Sequence, residues 1–370
     1  MANRFSRTDE SIIGQWWWSV DRTLLSAILL ISIFGSIMVF SASTSVADSL
    51  NKSAYYFFVK QLILLVTSTL AMIVISMLPI KTIRRLAFLS TIVITILLII
   101  TPIFGVEIKG AARWISIFGF SLQVSEFAKP AFAVTSAWLF STHFEGKNIP
   151  GIWIATFIFV LFASLFLIQP DLGQTIVLST IWFSQFIVAG LPLLIIFGLL
   201  FLSLTFLFLT YLFLPHVTQR IDIWLDPSSG DTYQITKSLE AFADGAWFGV
   251  GPGNGDLKNV LPDVHSDFIF SVVGEEWGII GGGAIISVFA FIIFRVLNNA
   301  RKSNNLFVIL TLVGLITQFS VQTAINLSST MGLIPSKGMT LPYISYGGSS
   351  LVAMGVTMGI ILSFTRKRFD

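Results

Sequence analysis

Of 370 residues, 55% are hydrophobic, 11% are charged and none is cysteine, with a formal net charge of +3. An average soluble domain carries about 25% charged residues, so this chain cannot cover itself in water, and a mean hydropathy of +0.86 makes lipid its main solvent. The missing cysteines exclude disulfides and thiolate metal sites, and basic residues scattered among short loops argue against a nucleic-acid partner.

Crossing a hydrocarbon core of ~30 Å takes about 20 apolar residues as a helix. Runs of that kind divide the chain into one all-α membrane domain of ten spans over residues 23–365. The first four are expected at Thr23–Ser43, Tyr56–Leu78, Leu86–Phe104 and Leu122–Thr142, the last carrying Glu126 and Lys129. A fifth follows at Gly151–Ile168. Leu172–Pro215 is then a charge-free stretch of 44 residues, too long for one crossing at ~1.5 Å per residue. It must fold back, and Ala189-Gly190-Leu191-Pro192 holds the helix breakers for a hairpin between spans six and seven. Spans eight to ten are expected at Phe268–Phe294, Leu306–Asn326 and Ser345–Phe364. The N-terminus shows no pattern for a cleavable signal peptide.

Loop lysines and arginines set the orientation. With the N-terminus in the cytoplasm, that side holds 13 of 22 basic residues: Arg4, Arg7, Arg22, Lys81, Arg84, Arg85, Lys147, Arg295, Arg301, Lys302, Arg366, Lys367 and Arg368. It holds only 5 of 19 acids: Asp9, Glu10, Asp21, Glu145 and Asp370. Segments 1–22 and 366–370 are then cytoplasmic. The loop 215–266 faces outward and is too small and glycine-rich for a core of its own. Trp16, Trp17 and Trp18 fit an aromatic anchor at the cytoplasmic interface.

Polar residues at membrane depth carry the functional information, because each is costly there. Four outward clusters stand out. In Lys109-Gly-Ala-Ala-Arg113-Trp114 and Ser125-Glu126-Phe-Ala-Lys129-Pro130, Glu126 and Lys129 share a helix face. They read either as a structural salt bridge or as part of a substrate site. Arg113, a guanidinium at a membrane entrance, suits phosphate binding. In Gln169-Pro-Asp171-Leu-Gly173, Asp171 reads as an N-cap or as a site residue. The third cluster gathers Asp263, His265, Asp267 and Glu275 at the mouth of span eight, too many groups for helix capping alone. An eight-residue spacing puts Asp267 and Glu275 on roughly one helix face. The nearby run Gly249-Val-Gly-Pro-Gly-Asn-Gly255 lacks a preceding strand and a Gly-Lys-Ser/Thr sequence, and fails as a nucleotide loop. The fourth cluster, Asn326 to Ser350, is dense in hydroxyls, Gly and Pro around Lys337 and ends on Ser349 and Ser350. Irregular backbone at membrane depth is tolerated where it lines a cavity or is buried in protein, so this loop reads as a wall of the site.

In this order, the clusters resemble the SEDS family of bacterial cell-wall proteins from about Asp21 to Lys367. The most specific stretches are Gly110-Ala-Ala-Arg113-Trp-Ile115, Gln169-Pro-Asp171-Leu-Gly173, Asp263-Val-His265-Ser-Asp267-Phe-Ile-Phe270 and Gly332 through Ser350. The wording Lys337-Gly-Met-Thr340-Leu-Pro342 is similar to the division branch of the family. Val124, Asp263, Ser266 and Pro252 depart mildly from the family pattern. The resemblance implies a peptidoglycan glycosyltransferase that polymerises lipid II at the outer face of the cytoplasmic (inner) membrane during septal synthesis. It also implies a class B penicillin-binding protein as transpeptidase partner, other divisome proteins, surrounding membrane lipid, and an essential acid at Asp267.

Glycan transfer from an undecaprenyl pyrophosphate has a good leaving group and a poor hydroxyl nucleophile, so one carboxylate acting as base suffices. Asp267 is assigned that role, with partial burial and Asp263 expected to raise its proton affinity. An α-linked donor giving a β-linked product implies inverting displacement. Arg113, Lys129 and Lys337, or a Mg or Mn ion held by the acids, are candidates to neutralise the departing pyrophosphate. Glu126, Asp171, Asp263, His265, Glu275, Ser349 and Ser350 complete the expected substrate contacts. Two rivals remain: a flippase moving lipid II outward, suggested by intramembrane Glu126, Lys129 and Glu275, and a non-enzymatic divisome scaffold. The first is disfavoured by charges concentrated at one face. The second leaves the outward carboxylates unexplained.

Overall fold

The computed structural model describes residues 11–108, 111–117, 120–146, 148–190, 193–213, 215–261, 263–335 and 337–367. Arg4, Arg7, Asp9, Glu10, Lys109, Gly110, Lys147, Leu191, Pro192, Pro262, Ser336, Arg368 and Asp370 lie outside the described residues. The helices run α1 (Ile12–Ser19), α2 (Arg22–Ser49), α3 (Tyr56–Met77), α4 (Ile80–Phe104), α5 (Val124–Phe144), α6 (Gly151–Ile168) and α7 (Leu172–Val188). They continue with α8 (Leu193–Phe213), α9 (Pro215–Leu225), α10 (Tyr233–Gly245), α11 (Leu257–Val260), α12 (Ile269–Arg301), α13 (Leu306–Thr330) and α14 (Gly348–Phe364). Among the described residues, α2 to α8 and α12 to α14 correspond to the ten expected spans. Six of these are long and apolar enough to cross a membrane on length and composition alone, and α7 and α14 are shorter apolar helices.

The span with the most polar sequence stands at the centre. α5 packs against α4, α6, α7, α13 and α14 and is buried along nearly its whole length. Ala128, Ala131, Ala133 and Ala137 let the neighbouring helices approach closely, and this enclosure keeps Glu126 and Lys129 away from lipid. The exposed apolar side chains belong to outer helices, such as Ile63, Val66 and Leu70 on α3 and Phe197, Phe201 and Phe208 on α8.

Both ends of the described chain meet at one end of the bundle, as the charge bias requires. Arg295 Nε donates to Asp21 Oδ2 at 2.8 Å, and Asn299 Nδ2 reaches the same oxygen at 3.1 Å. Arg366 Nε donates to Ser19 Oγ at 2.9 Å. Burial alone would raise the Asp21 carboxyl, but hydrogen bonds from Arg295, Thr23, the Leu24 N–H and Asn299 outweigh it and hold the group at about 2. Trp16 is not an interfacial anchor: it is 7% exposed, and its Nε1 donates to Ser76 Oγ at 2.8 Å. Trp17 and Trp18 lie beside the Arg22 guanidinium, at 5.6 and 4.9 Å, a cation–π arrangement.

Two features depart from plain helices and loops. Between α4 and α5 lies a three-stranded antiparallel sheet, β1 (Val106–Ile108), β2 (Ala111–Ile117) and β3 (Phe120–Gln123), in the order β1-β2-β3. Trp114 pairs with Gln123 and Ile115 with Leu122, so the expected start of span four at Leu122 is in fact strand. The second is a break in α12 at Gly278 (φ 65°, ψ −168°). A helix break strands carbonyls on one side and N–H groups on the other. Segment 246–251 satisfies both: Val250 N and Gly251 N donate to Glu275 O and Glu276 O at 2.9 and 3.2 Å. In return Ile279 N and Ile280 N donate to Ala246 O and Trp247 O at 2.9 and 3.2 Å. The contact is backbone on backbone, since a Cβ on Gly249 (φ +81°) would lie 2.2 Å from Glu276 O. The glycine run is therefore a plug for the α12 break.

Candidate active site

Asp267 lies in the turn that delivers the chain into α12. The N–H groups of Ser266 and Asp267 donate to Asp263 O at 3.0 and 3.3 Å, with Asp263 itself at φ 57°. The loop between α13 and α14 closes over this turn. Asn326 Nδ2 donates to both Asp267 O (3.0 Å) and Met339 O (2.6 Å). Ser345 Oγ donates to Ser266 O at 2.5 Å, and Tyr346 N donates to His265 O at 2.9 Å. The Gly338 backbone passes so near the carboxylate that a Cβ there would lie 2.9 Å from Asp267 Oδ2. The result is a half-buried carboxylate on a fixed backbone.

Three cations from separate elements form one electrostatic cluster, and Arg220 connects it to Asp267. Arg113, on β2, donates from Nε to Gln169 O at 2.9 Å and from Nη2 to Pro170 O at 2.6 Å, using two of its five N–H donors. Lys337 runs across the first turn of α7, where a Cβ on Gly173 would meet its Cε at 2.2 Å. Burial pushes its ammonium down to about 8, with Asp171 pulling it up and Arg220 and Arg113 pushing it further down. Arg220, on α9, keeps solvent contact, yet desolvation and the like charge of Arg113 lower it while the opposite charge of Asp267 raises it. Arg220 was not among the candidates read from the sequence, because nothing in a short outward helix shows that it folds back beside Asp267. Asp171 starts α7, but its side chain makes no capping hydrogen bond. Instead Oδ2 accepts from Gln123 Nε2 at 3.4 Å, and its charge acts on Lys337.

The other candidates hold this constellation in place from outside it. Lys129 Nζ lies 2.7 Å from Glu126 Oε2, with side chains 0% and 4% exposed. Gln174 Nε2 donates to Glu126 Oε1 at 2.6 Å, and Lys129 Nζ donates to Gln322 Oε1 at 3.1 Å. The structural salt bridge is therefore the arrangement present. Gln322 in turn reaches Thr340 O and Ser350 Oγ, each at 3.4 Å, so the pair supports the Lys337 loop from within the bundle. Ser349 Oγ donates to Ser121 O at 3.0 Å and accepts from Gln123 N at 2.9 Å, binding β3 to α14. His265 is 5% exposed and packs against the rings of Phe57 and Tyr346 at 4.7 and 5.3 Å. Burial lowers its imidazole pKa against the pull of Asp263. The expected common face of Asp267 and Glu275 does not form, because α12 begins only at Ile269. Glu275 Oε1 instead accepts from Asp256 N and Leu257 N at 2.8 and 3.2 Å, capping α11. Among the described residues no three of His, Cys, Asp and Glu converge as a group that could hold a metal ion.

This fold and site define a multi-pass membrane protein that carries a half-buried carboxylate next to a cluster of three cations, linked to it through Arg220. The family model described as "Cell cycle protein", covering FtsW, RodA and SpoVE, matches residues 21–369, and the chain belongs to that family. The probable peptidoglycan glycosyltransferase FtsW of Caulobacter vibrioides is 40% identical over 368 residues, covering 99% of this chain and 94% of that protein. The probable peptidoglycan glycosyltransferase FtsW of Shewanella sediminis is 35% identical over 364 residues, covering 94% and 87%. A solved peptidoglycan synthase complex, described as coordinating polymerization and crosslinking, contains a chain similar to this one at TM-score 0.77 and 26% identity, covering 94% and 98%. Thermus thermophilus RodA shares the fold at TM-score 0.69 and 23% identity, covering 96% and 99%.

Proposed function

We propose that this chain is a peptidoglycan glycosyltransferase that polymerises lipid II into glycan strands at the outer face of the inner membrane during septal wall synthesis. The observation that carries the reading is Asp267, held on a fixed turn beside Arg220, with Arg113 and Lys337 in the same electrostatic cluster. The names of the FtsW relatives support it. In this reading the Asp267 carboxylate takes the proton of the incoming sugar hydroxyl as that oxygen attacks C1 of the donor. The bond from C1 to the pyrophosphate oxygen breaks with inversion, and no glycosyl-enzyme intermediate forms. Charge develops on the pyrophosphate, where preplaced cations lower the barrier most. Arg113, Arg220 and Lys337 fill that role, whereas Lys129 is already matched by Glu126.

A class B penicillin-binding protein as partner, with other divisome proteins, follows from the same reading. It is supported by the likeness to a synthase complex that coordinates polymerization and crosslinking. The test is lipid II polymerisation in proteoliposomes with the transpeptidase present. Asp267→Asn should retain folding and insertion and lose about 10²–10⁴-fold in rate, the usual worth of a positioned base. Wild-type rates in the Asn variant would remove Asp267 from the chemistry. Movement of labelled lipid II across the bilayer without polymer would favour the flippase reading.

A further inference from the structure

α9, α10 and the turn between them border an open-sided cavity of about 270 Å³, lined by Arg220, Trp224, Asp231, Tyr233 and Gln234 together with Ile223 and Ile235. Its size is just below that of small-molecule sites, which run from about 300 Å³ upward. That is room for a sugar ring and not for a polyprenyl tail. Arg220 lines this cavity and its charge interacts with that of Asp267, so one side chain links the two.

The lining combines two kinds of surface. Trp224 and Tyr233 keep 38% and 44% of their surface exposed, while a carboxylate, a carboxamide and a guanidinium stand in the same cavity. An aromatic face is apolar and electron-rich, and its complement is the C–H-rich face of a pyranose ring. The hydroxyl and acetamide groups at the edge of such a ring require both donors and acceptors, which Arg220, Gln234 and Asp231 supply. A purely lipid-facing aromatic belt would not need those three polar groups in one cavity. An anionic peptide would meet the Asp231 carboxylate.

The groups are also held in position before any ligand arrives. Trp224 Nε1 donates to Gly332 O at 3.0 Å, tying α9 to the loop that carries Lys337. Tyr233 N donates to Asp231 Oδ1 at 2.9 Å. Preset groups avoid the ordering cost of binding.

We infer that this cavity is a saccharide subsite that holds an N-acetylated amino-sugar ring of the glycan strand beside the transfer site, with Trp224 and Tyr233 as stacking faces. The inference rests on the polymerase reading. It adds that the strand is gripped between rounds of transfer, so loss of the rings shortens the product.

The test uses the purified full chain in nanodiscs, titrated with chitotetraose, the β-1,4-linked tetramer of N-acetylglucosamine, by ligand-observed NMR. Wild type and Asp267→Asn should bind it alike. Trp224→Ala and Tyr233→Ala should each weaken binding at least tenfold. Trp224→Phe, which keeps a ring but loses the bond to Gly332, should lose less than threefold, and melting profiles confirm that the variants are folded. In a lipid II assay Tyr233→Ala should shift the strands to shorter lengths. If wild type polymerises lipid II but does not bind the tetramer, or if neither ring alters affinity and strand length, the subsite is refuted and the polymerase reading survives. If the tetramer binds through both rings while no polymer forms, the polymerase reading fails and the sugar site stands.

Discussion

Lys337 is where charge, burial and function compete most directly. Its ammonium is held at about 8 instead of 10.5, chiefly by desolvation. At ~1.4 kcal/mol per unit, that difference is worth about 3 kcal/mol. Below pH 8 the lysine is protonated in both folded and unfolded chains, and the folded state carries the whole cost of the buried charge. Between 8 and 10.5 the folded chain has released its proton while the unfolded chain keeps it, so stability rises with pH. Above that window the cost is gone.

Lys337→Met keeps the length of the side chain and removes the charge. It should stabilise the protein at neutral pH by about 1–3 kcal/mol while lowering polymerisation, the usual trade at a functional site. Wild-type activity should fall on the alkaline side with a midpoint near 8. Lys337→Arg, which stays protonated, should move that limb upward. Apparent melting temperatures and initial rates of lipid II polymerisation, followed from neutral pH to about pH 9, read both effects. A Lys337→Met variant that melts below wild type at pH 7, or a wild-type rate flat across the range, refutes the reasoning.

Three further outcomes are expected. Glu126→Gln and Lys129→Met should each destabilise by about 3–5 kcal/mol by leaving a buried partner charge uncompensated, and the double variant by much less; a double-mutant cycle on thermal stability checks this. Gly249→Ala should cost about 1–3 kcal/mol or more, because its positive φ and its contact with Glu276 O both resist a side chain; melting and protease protection at the α12 break read it out. Asp21, held at about 2 against an ordinary 3.8, contributes about 1–2 kcal/mol after allowance for the partly exposed Arg295. That stability is present above the ordinary value and lost as pH falls through about 2, so Asp21→Asn should flatten the acid limb of the melting curve.

The frame was readable in the sequence because lipid imposes a simple rule: runs of apolar residues of fixed length, with basic loops on one side. The same rule exposed Glu126, Lys129, Lys337 and Asp267, since each breaks an apolar pattern or stands at the mouth of a span. What stayed hidden depends on partners distant in the chain. The glycines at 249 and 251 take their meaning from carbonyls more than twenty residues later, at Glu275 and Glu276. Arg220 sits beside Asp267 only because α9 folds back. The sheet left a fainter trace, seven residues from Ala111 that include Trp114, Ile115 and Ile117 and are flanked in sequence by Gly110 and Gly119, a pattern that suits a strand. Asp171 shows the limit of a local rule, for the helix-start position is right while the carboxylate serves Gln123 and Lys337 instead of the helix.

The distribution of charge separates frame from site. Inside the bundle the acid and base of α5 meet at 2.7 Å, and Gln174 of α7 and Gln322 of α13 hydrogen-bond the pair. At the mouth the arithmetic differs. Arg113, Arg220 and Lys337 act on one another as like charges, while Asp267 acts on Arg220 and Asp171 on Lys337 with the opposite sign. Such a cluster is expensive to assemble, because each cation raises the cost of the others. An anion entering it would relieve repulsion already built into the fold, and a pyrophosphate gaining charge as its sugar departs would relieve it most at the transition state. The depressed Lys337 and the proposed leaving-group role are thus one property, seen before and after substrate arrives.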